Sequence, residues 1–408
     1  MHAETGKAQD QPPTARGAGV DRRGLLAGGA VVAAGLGAGV TALAMGTGGV
    51  RGHGRGVRPA AAPEPPAVPF HGERQAGVTT AQQPATQLLA LDLAPAATSD
   101  GRAGLRGLLG ELTRVLAGAT GGSPADARLQ GGQPARLSSL VGVGPGLAAR
   151  LGLNVPPALL TELPAFPGDR LDPARGGGDL VVQLCAADRW PLSVVAEQVD
   201  AAARAAGATA RWTQSGFLAR TAGGATPRNL FGFKDGTANP DGTESGQWVW
   251  GPPGPYEHGT VLVYRRIRMD TAAFAALPVD HQEQVMGRRV GDGAPLTGTA
   301  EHDEPDIYAK NPDGSYLIPA TAHVRLSSPR LDGGARMLRR GYNYDDGPGD
   351  RGLLFCAFMR DPAQFTRVQN RLAARDALNT FIEHTASAVA YVLPGAPEGG
   401  TLGEGLFG

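Results

Sequence analysis

Three short stretches of this 408-residue chain hold side chains suited to chemistry. The first, Asn229 to Pro240, sets an acid, Asp235, among the turn formers Gly232, Gly236, Asn239 and Pro240. Glycine relaxes φ, proline fixes it and asparagine tolerates the left-handed region, so the run is a shaped loop and not a regular helix or central strand. Phe231 and Phe233 precede the acid and point to a loop tucked against an apolar surface. There a carboxylate is a candidate proton carrier, because desolvation favours its neutral form. An Asp-Gly pair by itself is an ordinary turn. The second stretch, Pro319 to Leu326, places His323 between Ala322 and Val324. On spacing alone, a packed core or surface histidine is the stronger reading than a ligand. The third, Arg336 to Tyr344, holds the pair Arg339 and Arg340. Consecutive strand residues face opposite ways, so both cannot point into one site.

In combination, Gly-Phe-Lys-Asp-Gly-Thr-Ala-Asn-Pro, then Ala-His-Val-Arg, then Leu-Arg-Arg-Gly-Tyr resemble the dye-decolourising peroxidase family of haem proteins in order and approximate spacing. The resemblance runs from about Phe70 to Gly395. It implies an α+β fold of duplicated ferredoxin-like domains with antiparallel sheets, and one haem b per chain held mainly by the C-terminal half. Haem iron needs an axial base, usually a neutral imidazole. Of the eight histidines, His2 and His53 fall in the leader. His71, His258, His281, His302 and His384 lie at starts, in loops or in charged surroundings. The family motif then makes His323 the proximal ligand. Such a ligand usually donates its other ring nitrogen to an acceptor. Asp376 is the candidate, with a helix N-cap as its ordinary alternative.

The resemblance implies that Asp235 shuttles the proton of hydrogen peroxide while Arg339, the first of its pair, holds the peroxide anion and then the ferryl oxygen. It further implies haem contacts from Gly236, Thr237 and Ala238, a propionate contact from Arg330, and Phe355 as a distal wall or simply a core strand aromatic. The activity implied is reduction of hydrogen peroxide coupled to oxidation of a small organic donor, such as a dye or phenolic, through a ferryl porphyrin-radical intermediate. Bulky donors would need surface aromatics to pass electrons, with Trp248, Trp250, Tyr344 and Tyr391 as candidates against ordinary packing. An alternative is a haem-binding iron-acquisition protein, deferrochelatase-like, that releases iron from haem. A haem-dependent decarboxylase or oxygen-releasing enzyme is a third possibility, against which the Asp/Arg pair argues.

Elements must place these residues. Gln87 to Leu93, Ser138 to Val143, Leu180 to Ala186 and Ala210 to Leu218 read as strands. Between them, Gly104 to Ala117 and Pro191 to Ala206 have helical apolar spacing. That order, strand-helix-strand-strand-helix-strand, is a ferredoxin-like unit. Its loose repeat has strands at Thr260 to Met269, Ala335 to Tyr344 and Leu353 to Met359. Helices are expected at Thr271 to Leu277, Asp280 to Arg289, Pro362 to Ala374 and Asp376 to Ala390. Gly291 to Pro319 is a long Gly/Pro/Asp-rich loop of the kind that covers or serves a site. Gly142 to Gly146 is no dinucleotide fingerprint, because Pro145 interrupts it.

Composition bounds the partners. The 38 basic and 38 acidic residues cancel, which gives no argument for nucleic acid or an anionic membrane. Only Lys7, Lys234 and Lys310 are lysine, so Lys234 inside the key loop is informative. Cys185 and Cys356 sit in apolar runs and read as small buried hydrophobes. Residues 1–67 read as a leader and linker, followed by halves at 68–225 and 226–408. Arg22-Arg23 before an Ala/Gly-rich run to about Met45 reads as a signal for the twin-arginine translocase, with a poor transmembrane anchor as the alternative. Cleavage after Ala44 or Ala62 would leave an extracellular, periplasmic or cell-envelope protein without stable membrane insertion. That route carries folded proteins, which suits an enzyme that takes up its cofactor before export.

Overall fold

The computed structural model describes residues 67–408, apart from 96–97, 122–125, 131–135, 160–161, 220 and 222–224. The export signal and both cleavage sites lie outside the described residues. Among the described residues, no helix is long and apolar enough to cross a membrane.

The N-terminal half opens with α1 (Ala76–Thr79) and β1 (Ala85–Leu93), then α2 (Thr98–Thr120), β2 (Ser138–Val143) and α3 (Pro145–Leu151). It closes with β3 (Leu180–Ala186), α4 (Arg189–Ala205) and β4 (Ala208–Phe217). Its sheet runs β2-β3-β1-β4, antiparallel throughout. The C-terminal half has α5 (Gly242–Trp248), β5 (Thr260–Met269), α6 (Thr271–Ala275), α7 (Val279–Met286) and α8 (His323–Leu326). It continues through β6 (Leu338–Arg339), β7 (Tyr342–Asp345), β8 (Arg351–Met359), α9 (Ala363–Arg375) and β9 (Ile382–Val392). Here the order is β7-β8-β5-β9, with β6 also on β8. Counted within each half, with β6 and β7 taken as one broken strand on β8, both sheets run second-third-first-fourth, the ferredoxin-like order.

The sheets join at both edges. β2 meets β9 through Gly142↔Val392 and Val143↔Tyr391, and β4 meets β7 through Phe217↔Asn343. The strands therefore close into a ring with an apolar interior. Leu88, Leu140, Val181 and Trp212 from one sheet face Tyr264, Tyr342, Leu354 and Phe358 from the other. Trp212 stacks on Tyr264 with centroids 5.0 Å apart. Burying each large apolar side chain contributes roughly 1.5–3 kcal/mol. On the outer face of the N-terminal sheet, Leu105, Leu108, Leu109 and Leu112 of α2 and Val195 and Val199 of α4 cover Leu89, Leu91, Val182 and Leu184.

Three expectations need correction. Asp376 to Ala390 is not a helix: a 3-10 turn (Ala377–Thr380) leads into β9. Alanine favours helices, but Ala388 and Ala390 lie opposite Tyr264 and Leu262 of β5, where a small side chain leaves room for the ring. Tertiary packing overrides propensity there. The strand expected over Ala335 to Tyr344 is two pieces, broken at Arg340 and Gly341. The aromatics offered as surface relays are packed inward, the alternative set against them: Tyr344, Tyr391 and Trp250 are buried and Trp248 is half-buried.

Candidate active site

The Asp235 loop is held by its own residues first. Asn229 Oδ1 accepts the N–H groups of Phe231 (3.0 Å) and Phe233 (3.2 Å), and the Asp235 N–H donates to the Pro227 carbonyl (2.9 Å). Gly232 and Gly236 sit at φ of +88° and +103°, conformations that favour glycine. Phe231 and Phe233 are buried against Phe274, with ring centroids 4.2 and 6.2 Å from it. The loop is thus tucked on an apolar bed, as its sequence suggests.

Two further groups fasten it. Lys234 forms an ion pair with Glu301, which also accepts from Thr226 and from Thr237 Oγ1 (3.1 Å). Glu301 belongs to the long covering loop, so that loop is pinned onto the acid's own turn. On the other side, Asn239 Nδ2 donates to the Arg339 carbonyl (2.7 Å) and its Oδ1 accepts the Arg339 N–H (2.9 Å).

Arg339 and Arg340 diverge. Arg340 is buried, and its guanidinium donates to the carbonyls of Val78 and Thr80 in the N-terminal half. Gln82 donates to the Gly341 carbonyl (2.6 Å). Arg339 instead lines a pocket with Gln82, Asn229, Asp235, Gly341 and Leu353. A Cβ added to Gly341 would lie 3.8 Å from Asp235 Oδ2, so the carboxylate rests against the strand break. Among the described residues, neither the Asp235 carboxylate nor the Arg339 guanidinium makes a side-chain hydrogen bond or ion pair. Burial lowers the Arg339 pKa, Asp235 raises it and Arg336 lowers it again. The guanidinium stays charged at any physiological pH.

His323 opens α8, and its Nδ1 lies 2.6 Å from Asp376 Oδ2. Asp376 uses its second oxygen to cap the 3-10 turn through the Leu378 N–H (2.9 Å), so the acceptor and N-cap readings hold together. Burial pulls the His323 pKa down, but the charge and hydrogen bond of Asp376 more than offset this. Asp235 adds to the rise and Arg339 opposes it, leaving His323 above the ordinary imidazole value. A third of its side chain is accessible. His384 differs: its Nδ1 accepts from Arg265, and burial with the Arg265 charge pushes it down to about 3.

These residues fit a haem. With Nδ1 engaged, His323 offers Nε2 as a single axial base, and Asp235 and Arg339 are close enough to influence its charge. Among the described residues, no three His, Cys, Asp or Glu side chains cluster as a metal cage. A single axial base suits an iron that brings its other ligands on a porphyrin.

The other sequence candidates are placed less closely. Gly236 lines the pocket, Thr237 is turned to Glu301 and Ala238 is exposed. Phe355 is half-buried on the same face of β8 as Leu353 and packs on Phe365 at 5.7 Å. Arg330 is exposed and paired with Glu304 (2.9 Å), and it does not line the Asp235 pocket. Sequence reasoning missed Asn239 as a clamp and Glu301 as a pin. Their partners lie 100 and 67 residues away, which local spacing does not reveal.

Comparison with known proteins follows the same division into halves. The family model for Dyp-type peroxidase, N-terminal, matches residues 75–218, and that for Dyp-type peroxidase, C-terminal, matches 226–397. A dye-decolorizing peroxidase of Thermobifida fusca (strain YX) is 39% identical over 441 residues, covering 97% of this chain and 99% of that relative. A deferrochelatase of Escherichia coli (strain K12) is 34% identical over 370 residues, covering 81% of this chain and 84% of that relative. Among solved structures, a DyP-type peroxidase from Streptomyces coelicolor superposes with a TM-score of 0.78 at 36% identity, over 83% of this chain and 96% of its own. The oxyferrous complex of DtpA from Streptomyces lividans gives 0.76 at 35% identity, over 83% and 97%.

Proposed function

The chain belongs to the Dyp-type peroxidase family and is a haem peroxidase enzyme, and from that premise we propose that it reduces hydrogen peroxide and oxidises small organic donors such as dyes and phenolics, with one haem b per chain. The carrying observation is that Asp235 and Arg339 line one pocket with neither side chain engaged in a hydrogen bond or ion pair among the described residues.

His323 would hold the haem iron through Nε2, while Asp376 fixes the ring and makes it a stronger base. Haem, when bound, supplies the iron that exchanges electrons with peroxide and donor. Asp235 takes a proton from one peroxide oxygen and returns it to the other, which leaves as water. Arg339 stabilises the negative charge on the peroxide and on the departing oxygen. Gly236, Thr237, Ala238 and Phe355 would line the haem. Arg330 would serve a propionate only by exchanging its partner Glu304 for it.

The test is stopped-flow absorbance of the haem-loaded protein with one equivalent of hydrogen peroxide. A fast spectral change reversed by an organic donor is expected, slowed about 10²–10⁴-fold in Asp235→Ala or Arg339→Leu. Unchanged rates in both variants would remove the pair from the reaction. The relatives named deferrochelatase favour a second reading, release of iron from haem with the porphyrin left intact. Appearance of metal-free porphyrin fluorescence with no reversible peroxide response would select it. We further propose export by the twin-arginine translocase, checked by loss of the exported form in an Arg22→Lys, Arg23→Lys variant.

A further inference from the structure

Asn239 is bonded both to the turn after Asp235 and to the backbone of Arg339, and this geometry gives it a task of its own. Its primary amide spends the acceptor on the Arg339 N–H (2.9 Å) and the donor on the Arg339 carbonyl (2.7 Å). Two bonds to the N–H and C=O of one residue are what a neighbouring antiparallel strand would supply. Among the described residues none is there, because β6 is the last strand in the sheet order. Arg339 lies opposite Ala357 of β8, and the next N–H toward β8 is that of Arg340, which donates to the Cys356 carbonyl (2.7 Å). The backbone of Arg339 is therefore fixed on its open side by Asn239.

The same residue is tied to the acid. The Asn239 N–H donates to the Gly236 carbonyl (3.2 Å), closing a turn that begins immediately after Asp235. The guanidinium of Arg339 has no hydrogen bond of its own among the described residues, so its place follows from its backbone. We propose that Asn239 is a positioning residue that sets the separation of Asp235 and Arg339 for the peroxide step; this rests on the reading of those two as the peroxide-handling pair.

The experiment is a double-mutant cycle on the haem-loaded full chain, read as the bimolecular rate of reaction with hydrogen peroxide. Asn239→Ala is expected to lose about 10- to 100-fold, as misplacement of reacting groups does. In the Asp235→Ala background, the same change should cost little more, because the separation it sets no longer matters. Asn239→Asp keeps the shape and the acceptor but turns a second acceptor toward the Arg339 carbonyl. It is expected to lose rate as well and carries the test should the alanine variant fail to fold. A parental rate in either folded Asn239 variant overturns the proposal. So does a loss equal in the parent and Asp235→Ala backgrounds, which marks a structural role. If Asp235→Ala itself reacts at the parental rate, the acid leaves the peroxide step and the proposal falls with it. If Asp235→Ala is slow and Asn239→Asp is fast, only the proposal falls.

Discussion

Asp376 does two jobs with two oxygens, and a single substitution separates them. Asn caps helices about as well as Asp, so Asp376→Asn keeps the cap at Leu378 while removing the charge that raises His323. Haem retention, followed as transfer to a scavenging apoprotein, is expected to weaken by about 10- to 100-fold with little change in melting temperature. Asp376→Ala should lose the cap too, at about 0.5–2 kcal/mol of stability. Both roles of this residue are legible in the sequence, since an acid before Ala-Leu-Asn-Thr invites a cap and an axial histidine invites an acceptor. The partner of Arg330 is not legible. An arginine after a Ser-Pro turn carries no mark of whether it faces a propionate or, as here, Glu304.

At the scale of elements, the break between β6 and β7 lets Arg339 and Arg340 serve different parts of the molecule. A continuous strand would keep pairing with β8 through residue 341. Instead, Gly341 brings the chain against Asp235 and leaves its carbonyl to Gln82. A side chain there is constrained by chemistry, not by backbone. Gly341→Val is expected to fold, since its Cβ meets Leu353 Cδ1 at 3.4 Å and the Leu354 carbonyl at 3.5 Å, and to slow the peroxide reaction by crowding Asp235. Gly352→Ala provides the contrast, because its Cβ would lie 1.9 Å from the Ile267 carbonyl oxygen. It should lower the melting temperature sharply, by several degrees or more. Strands made of short runs rich in β-branched residues, such as β3 and β5, were readable. β9 was not, because its alanines answer to large side chains on a strand more than a hundred residues earlier.

For the whole molecule, element order was enough to suggest a duplicated unit, and the strand order of both sheets agrees with it. How the halves meet had no sequence signal. The seams consist of two residue pairs between β2 and β9 and one between β4 and β7. The larger attachment is the interior they share, where Tyr264, Tyr342, Tyr344 and Phe358 of one half cover Leu88, Leu140 and Val181 of the other. A half expressed alone would leave that face bare, and an apolar patch of this kind drives association. Separate fragments 67–225 and 226–408 are expected to aggregate, and size-exclusion chromatography of each would check this. Arg340 adds a consequence. Its bonds to Val78 and Thr80, with that of Gln82 to Gly341, make the N-terminal half part of the scaffold behind Arg339. A chain cut between its halves would therefore leave the Asp235 pocket incomplete in either piece, since one wall, Gln82, and the support behind Arg339 come from the N-terminal half.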